Sequence, residues 1–423
     1  MQSSLFKFDF KTKQAKIQEN LRQTMDFKTY NEALDNLLKS AQIWDRVERI
    51  ALSSALGRIV SSDVIASKNY PEFATAAMDG YACRFADLSS GKLRVVGAIP
   101  AGSDDKTSLK DKECVKTFTG SLLCEDADTL IPIENVTVEN DLITINKPVN
   151  LGFALRQIGE SYKKGDVLLK KGTKLGYSEL ALLAELGQSY VNVYIRPKVA
   201  VLSTGSEIVD IGEAPTHKAQ IHSSNHIAIA NMVSLLNCEA VILPVIKDDL
   251  ELIKNTILNT LKSCDFLITT GGVSVGDFDF IRDILKSEFE LVVNGAAIKP
   301  GRHIKIAKIG DKFIFALPGF PYSAMVTCAL FFREFINKIL NTNENYRFKA
   351  ILDEDFTKKS NFEEFGAASV RNDNGVMKIS TSTKKSGSSA IVSNLNNNAV
   401  LLNCKMDQTM LKKGQVVEYL VMM

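Results

Sequence analysis

Several familiar signatures are missing from this sequence. Its seven cysteines, Cys83, Cys114, Cys124, Cys238, Cys264, Cys328 and Cys404, are scattered, odd in number and without a CxxC pair, which supports neither a disulfide framework nor a zinc knuckle. No run nears the roughly 20 apolar residues of a membrane-spanning helix, and the amino-terminal stretch "MQSSLFKFDFKTKQAKIQEN" lacks a signal peptide's apolar centre. The 51 basic and 49 acidic side chains are intermixed, leaving a formal charge of +2. Without a basic stripe, nucleic acid is not an expected partner, and an anionic ligand must be met locally. A reducing, cytoplasmic compartment is expected. GxxxxGK[ST], GxGxxG, HExxH and GxSxG are all absent. Four histidines, His217, His222, His226 and His303, form no metal set. His222 and His226 stand four apart, and without a third ligand they read as a partly exposed helix face.

What is present is length and alternation. A chain of 423 residues exceeds a single core, so a multidomain α/β protein is expected. Residues 1–24 are polar and lysine-rich and read as a mobile extension. Thr29 and Glu32 suit a capping box opening a helix over "TYNEALDNLLKSAQ". Helical spacing there and in "SELALLAELG" predicts an elongated helical domain from 25–65 and 150–190, interrupted by a small inserted β domain over 66–149. From 191 to 341 strands and helices alternate, which predicts a doubly wound, mainly parallel sheet whose ligands lie beyond the carboxyl ends of its strands. Residues 342–423 return to β runs and predict a β-barrel-like closing domain.

The most informative stretch is "DFLITTGGVSVGDFDFIRDIL", residues 265–285, in which a buried strand meets Gly271 and Gly272 and leaves through Val273, Ser274, Gly276, Asp277 and Asp279 into a helix. Glycines let backbone amides approach a phosphate, and a helix start adds amides and a positive dipole. Asp277 also suits a plain helix cap. Asp279, placed in the first turn, implies a cation between carboxylate and phosphate. "VAVLSTGSEIV" brings Thr204, Gly205, Ser206 and Glu207 to the same rim, and Asp248 lies just past another strand. "FALPGFP" ends a strand at Pro318 and starts a helix with Pro321, Ser323 following, while "AAIKPGRH" presents Lys299, Pro300, Gly301 and Arg302 in an extended turn. Cations beside helix starts suit a polyanion, and the carboxylates suit Mg²⁺.

Taken in order, "TAAMDGYA", "TFTGSLLCEDADTLIPIE", "VLSTGSEIV", "LITTGGVSVGDFD", "AIKPGR" and "ALPGFPYSA" resemble the molybdopterin molybdenumtransferase family, which includes the E domain of gephyrin. The resemblance implies insertion of molybdate into adenylylated molybdopterin with release of AMP, a Mg²⁺-dependent homodimer, and dealings with other cofactor-synthesis proteins and molybdoenzymes. It implies Asp279, Asp248, Glu207, Asp79, Thr119 and Lys299 as catalytic groups, with Asp279 and Glu207 near the metal and Asp79 and Thr119 reaching in from a second subunit. It assigns Thr204, Gly205, Ser206, Gly271, Gly272, Val273, Ser274, Gly276, Asp277, Pro300, Gly301, Arg302, Pro318, Pro321, Ser323 and Arg156 to substrate binding. Ser161 stands where the family pattern has Asp, Phe320 where it has Asn, Arg302 where it has Lys, and "EEFGAASVR" lacks an expected arginine. These departures leave a cofactor-binding or scaffold protein without insertase activity, and a tungstate-preferring insertase, as alternatives.

Overall fold

The computed structural model describes residues 27–105, 107–274, 279–342, 344–385 and 389–423; the expected extension at 1–24 lies outside them. The described chain forms two compact units, one of the residues up to Ser61 with Gly172–Ala184 and Gln188–Met423, the other of Ser62–Lys171 with Glu185–Gly187. No helix among the described residues is long and apolar enough to cross a membrane.

The larger unit is built on a six-stranded sheet ordered Glu239–Ile242, Lys198–Ser203, Phe266–Thr270, Lys312–Leu317, Lys305–Ile309, Glu290–Asn294. The first four strands are parallel, and the last two join antiparallel. "VAVLS" and "FLITT" are buried along their whole length, because the sheet is covered on both faces. Val199, Val201, Phe266 and Ile268 pack with helices Tyr30–Ser40, Asn225–Leu235, Pro321–Thr327 and Arg333–Ile339. Ala200, Leu202 and Leu267 face the opposite way, toward helices Leu250–Ser263 and Phe280–Glu288. Thr29 and Glu32 do form the capping box: the Thr29 hydroxyl accepts from the Glu32 amide, and the Glu32 carboxylate accepts from the Thr29 amide at 2.8 Å.

The carboxyl-terminal part of this unit is a closed barrel. Glu363–Asp373, Val376–Ser380, Arg347–Leu352, Val416–Val421 and Val400–Cys404 pair in turn, and Val400–Cys404 pairs back to Glu363–Asp373. Ile298–Lys299 adds to it as a short parallel strand beside Glu363 and Glu364. That pairing carries the "IKPGR" turn from the α/β sheet to the barrel.

The smaller unit holds a six-stranded mixed sheet, ordered Thr129–Pro132, Gly80–Cys83, Glu113–Thr117, Lys92–Ile99, Leu142–Ile145, Val136–Glu139. Gly80 is forced there, since a Cβ would lie 2.4 Å from the Ile131 carbonyl oxygen.

The segments expected to be helical, 25–65 and 150–190, are only partly so. Helices Tyr30–Ser40 and Tyr177–Glu185 are present, but Val47–Ala51 pairs antiparallel with Tyr190–Tyr194, and Val64–Ile65 with Val167–Leu169. The period-two alternation of "VERIA" and "YVNVY" governs those stretches. The first helix also belongs elsewhere: Tyr30, Ala33 and Leu37 join the core of the α/β sheet.

Candidate functional site

The sheet order places a crevice. The chain runs from Lys198–Ser203 to Glu239–Ile242 on one side and returns to Phe266–Thr270 on the other, so connections leave in opposite directions between Ser203 and Thr270. Ligands of open α/β sheets bind at such a switch point. A cavity of about 1050 Å³ opens there, within the larger unit.

Each of the first three parallel strands in the sheet order is followed by a loop that delivers one carboxylate to this cavity. Glu207 follows Lys198–Ser203, Asp248 follows Glu239–Ile242, and Asp279 follows Phe266–Thr270. Asp279 occupies the N-cap position of Phe280–Glu288, with no capping hydrogen bond from its side chain. Its negative charge also acts on Lys305, whose ammonium is pushed down to about 8, first by burial and then by Lys286 and Arg282. Asp248 is clipped to the neighbouring loop: its Oδ2 accepts from the Ser206 amide at 2.9 Å, and the Ser206 Oγ accepts from the Asp248 amide at 3.3 Å. Ser206 is therefore spent on holding two loops together and does not line the cavity. Thr204, Gly205, Gly271, Gly272, Val273 and Ser274 do. Gly271 has φ +97°, and a Cβ there would meet the Thr204 carbonyl oxygen at 2.9 Å, so the two strand ends close on each other only with glycine. Gly276 and Asp277 lie outside the described residues.

Cationic groups come from the strand that joins the barrel. Lys299, Pro300, Gly301 and Arg302 line the cavity. The Lys299 ammonium is held 3.3 Å from Glu364. Arg302 donates from Nε to His303 Nε2 at 3.1 Å, and its guanidinium lies 5.7 Å over the Phe362 ring. His303 accepts because it is neutral: burial, then the charges of Arg302 and Lys305, push its pKa down to about 4. Pro318, Pro321 and the buried Ser323 complete this side. Pro321 opens the helix and Phe320 sits at its N-cap, 60% exposed, without a side-chain capping bond.

The remaining expected groups, Asp79, Thr119 and Arg156, belong to the smaller unit. Asp79 and Thr119 meet there. The carboxylate accepts from the Thr119 amide and hydroxyl, both at 2.8 Å, and these bonds hold its carboxyl below the usual range. Arg156 lies 3.5 Å from Glu160 and 3.4 Å from the Ser161 hydroxyl, so Glu160 supplies the charge that Ser161 does not.

Several lining residues carried no signal of their own. Lys359, Ser360 and Phe362 reach the cavity from the barrel through the pairing of Ile298–Lys299 with Glu363–Glu364, which no local pattern encodes. Ser223 and Asn225 also line it. A polar "SSN" placed between a strand and a helix start, on the same rim as "TGSE", was the available hint. The two histidines expected to share a helix face do not. His222 lies in the strand Ile221–His222 with Nε2 2.9 Å from the Glu213 carbonyl, whereas His226 is buried in the helix with Nδ1 3.8 Å from Asp210.

Comparison with known proteins assigns the fold to a function. Residues 28–187 match the MoeA N-terminal region (domain I and II), and residues 200–338 match the probable molybdopterin binding domain. The molybdopterin molybdenumtransferase of Haemophilus influenzae is 35% identical over 301 residues, 71% of this chain and 74% of that protein. The Staphylococcus aureus protein of the same name is 32% identical over 357 residues, 82% of this chain and 85% of that one.

The chain belongs to the molybdopterin molybdenumtransferase family.

As a molybdopterin molybdenumtransferase homologue it is an enzyme of molybdenum cofactor biosynthesis. The crystal structure of the molybdopterin biosynthesis moeA protein from Pyrococcus horikoshii is similar over its full length: TM-score 0.81 and 29% identity, covering 94% of this chain and 100% of that one. A molybdenum cofactor biosynthesis protein from Pyrococcus furiosus shares the fold, with TM-score 0.58 and 21% identity over 93% of this chain and 99% of that one. The match to the probable molybdopterin binding domain spans the loops that form the cavity on its α/β side.

Proposed function

We propose that the chain inserts molybdate into adenylylated molybdopterin and releases AMP. The observation that carries this reading is the composition of one cavity: three carboxylates on three adjacent strand-end loops, glycines at Gly271 and Gly272, and Lys299, Arg302 and Lys359 from the segments that join the barrel. A substrate that holds a phosphoanhydride and meets a second oxyanion needs all three kinds of group. The dithiolene of the substrate binds the metal, and breaking the anhydride supplies the driving force, so the protein's task is to align two anions against their repulsion.

Mg²⁺ fits the donor set. Among the described residues no three His, Cys, Asp or Glu side chains converge on one point. A hard cation held by one or two carboxylates together with phosphate oxygens does not require that. Asp279 and Glu207 would hold it, and it would neutralise charge developing on the anhydride. Asp248 fixes the Glu207 loop through Ser206. The glycine loop offers amides to phosphate, and Lys299, Arg302 and Ser323 orient the incoming oxyanion. Asp79 and Thr119 of the partner subunit would complete the site in a homodimer. The test is direct: purified protein with adenylylated molybdopterin, molybdate and Mg²⁺ should release AMP, and substrate binding without release would reduce the protein to a carrier.

A further inference from the structure

The floor of the cavity has hydrogen-bonding capacity left over. Ser203 and Thr270 end neighbouring parallel strands in register, with their hydroxyls 3.0 Å apart. The Ser223 hydroxyl donates to Ser203 Oγ at 3.2 Å. Three hydroxyl hydrogens enter a chain with two bonds, so one hydrogen remains for a ligand whichever way the chain is oriented. Beside it Thr204 is 5% exposed, and its Oγ1 has no partner among the described residues. Asn225 adds the opposite polarity. Its Nδ2 donates to the Gly319 carbonyl at 2.7 Å, which fixes the amide, and its Oδ1 is a buried acceptor without a donor. All of these residues line the same cavity.

An orphaned acceptor narrows the ligand. Phosphate and molybdate offer almost only acceptors and can take the spare hydroxyl hydrogen, but they leave Asn225 Oδ1 unsatisfied. A flat heterocycle with an exocyclic amino group beside a ring acceptor satisfies both. We propose that Asn225 and Thr204 are specificity-determining residues that read the hydrogen-bonding edge of the substrate's heterocycle at the switch point between Ser203 and Thr270. The anionic part of the substrate is thereby directed to the Gly271 loop and to Lys299 and Arg302. The proposal rests on the function given above. The same edge chemistry is present in the pterin ring and in the adenine of the leaving nucleotide.

Calorimetric binding to the full-length chain separates these sources. The probes are pterin against lumazine, which has an oxo group in place of the 2-amino group, and AMP against IMP, which replaces the 6-amino group. Pyrophosphate is the anion-only control. The wild type should prefer the amino-bearing member of one pair by about tenfold, the size of one hydrogen bond. The discriminating pair names the ring that sits on the floor. Thr204→Val and Asn225→Ala should remove the preference and leave pyrophosphate binding unchanged, and Asn225→Asp, which keeps the acceptor and loses the Gly319 bond, should retain it. Because the Thr204 hydroxyl has no partner, Thr204→Val should not lower the thermal midpoint of the ligand-free protein. Lack of preference in both pairs, an equal loss of pyrophosphate affinity, or a destabilised Thr204→Val protein would each overturn the proposal. A chain that discriminates a pair but releases no AMP from adenylylated molybdopterin refutes the proposed reaction instead.

Discussion

Two regions of the larger unit face the same cavity and are built in different ways. The rim of the parallel sheet presents Glu207, Asp248 and Asp279 from loops that directly follow strands, and a glycine pair that lets those loops close. The barrel presents Lys359, Ser360 and Phe362, which reach the cavity because a two-residue strand, Ile298–Lys299, pairs with Glu363 and Glu364. On the rim, position follows from local chain order. On the barrel, it follows from a pairing between segments 65 residues apart, as the contact between Lys299 and Glu364 shows. The rim is thus fixed by backbone geometry that each loop carries with it, and the barrel wall depends on register.

The largest expected effect lies on the rim. Asp279→Asn keeps the shape of the residue at the N-cap and removes its charge. AMP release should fall by a factor on the order of 10²–10³, the scale for losing one group that stabilises developing charge, with binding of adenylylated molybdopterin retained. Full activity in the Asn variant would break the assignment of the rim as the catalytic side. The contribution of the smaller unit is testable by mixing. Asp79→Ala and Asp279→Ala chains, each inactive alone, should recover about a quarter of wild-type activity at equal ratio, because half the dimers are mixed and each mixed dimer carries one intact site. Proven heterodimers without recovery would mean that each site is built from one chain.

The barrel side should respond more mildly. Lys359 is exposed, so Lys359→Ala should weaken pyrophosphate binding by about three- to tenfold, and more at low salt. A loss as large as that of Asp279→Asn would erase the difference between the two walls. His303, at their junction, gives a pH signature. Its folded pKa is pushed down to about 4 from an ordinary value of 6.5. Between those values the unfolded chain takes up a proton that the native chain does not, so this contribution to stability is complete above pH 6.5 and lost as pH falls toward 4. The urea midpoint of the wild type should therefore drop between pH 7 and pH 5 by more than that of His303→Gln, and parallel curves would assign the acid sensitivity elsewhere.

The same contrast explains what was legible in the chain. Thr29 and Glu32, Pro321 at a helix start, Asp248 beyond a strand and the glycines at 271 and 272 carry their meaning within a few residues, and the structure uses them as such. Phe362 carries none until the barrel register is known, and Asn225 offers only the polar run in which it stands. Ser206 shows the opposite case: it stands inside a correctly read loop, yet its amide and hydroxyl are taken by Asp248, and a loop motif does not reveal which of its members face inward. The helical reading of 25–65 and 150–190 extended two true helices over neighbouring stretches whose alternation has period two.

The smallest expected effect concerns Phe320, which stands where the resembled family pattern has Asn. The residue sits at the N-cap with extended backbone (φ −69°, ψ 128°), Pro321 follows, and no side-chain bond caps the helix. Its backbone is held from both sides: the Gly319 carbonyl accepts from Asn225 at 2.7 Å and the Phe320 carbonyl accepts from the Ala324 amide at 2.9 Å. A substitution should therefore alter the side chain's chemistry with little movement of the loop. Phe320→Asn adds an acceptor for a first-turn amide, worth about 1 kcal/mol, and an amide donor at the edge of the cavity that phenylalanine lacks. The unfolding midpoint should rise slightly. The molybdate concentration for half-maximal AMP release should fall by about two- to fivefold, less than the tenfold of one full hydrogen bond because the position is 60% exposed to water. Binding of adenylylated molybdopterin should not change, since its heterocycle is read at Asn225 and Thr204. If molybdate dependence stays fixed while affinity for the adenylylated substrate shifts, Phe320 belongs to the pterin wall and the rim's oxyanion side must be sought at Lys299, Arg302 and Ser323 alone.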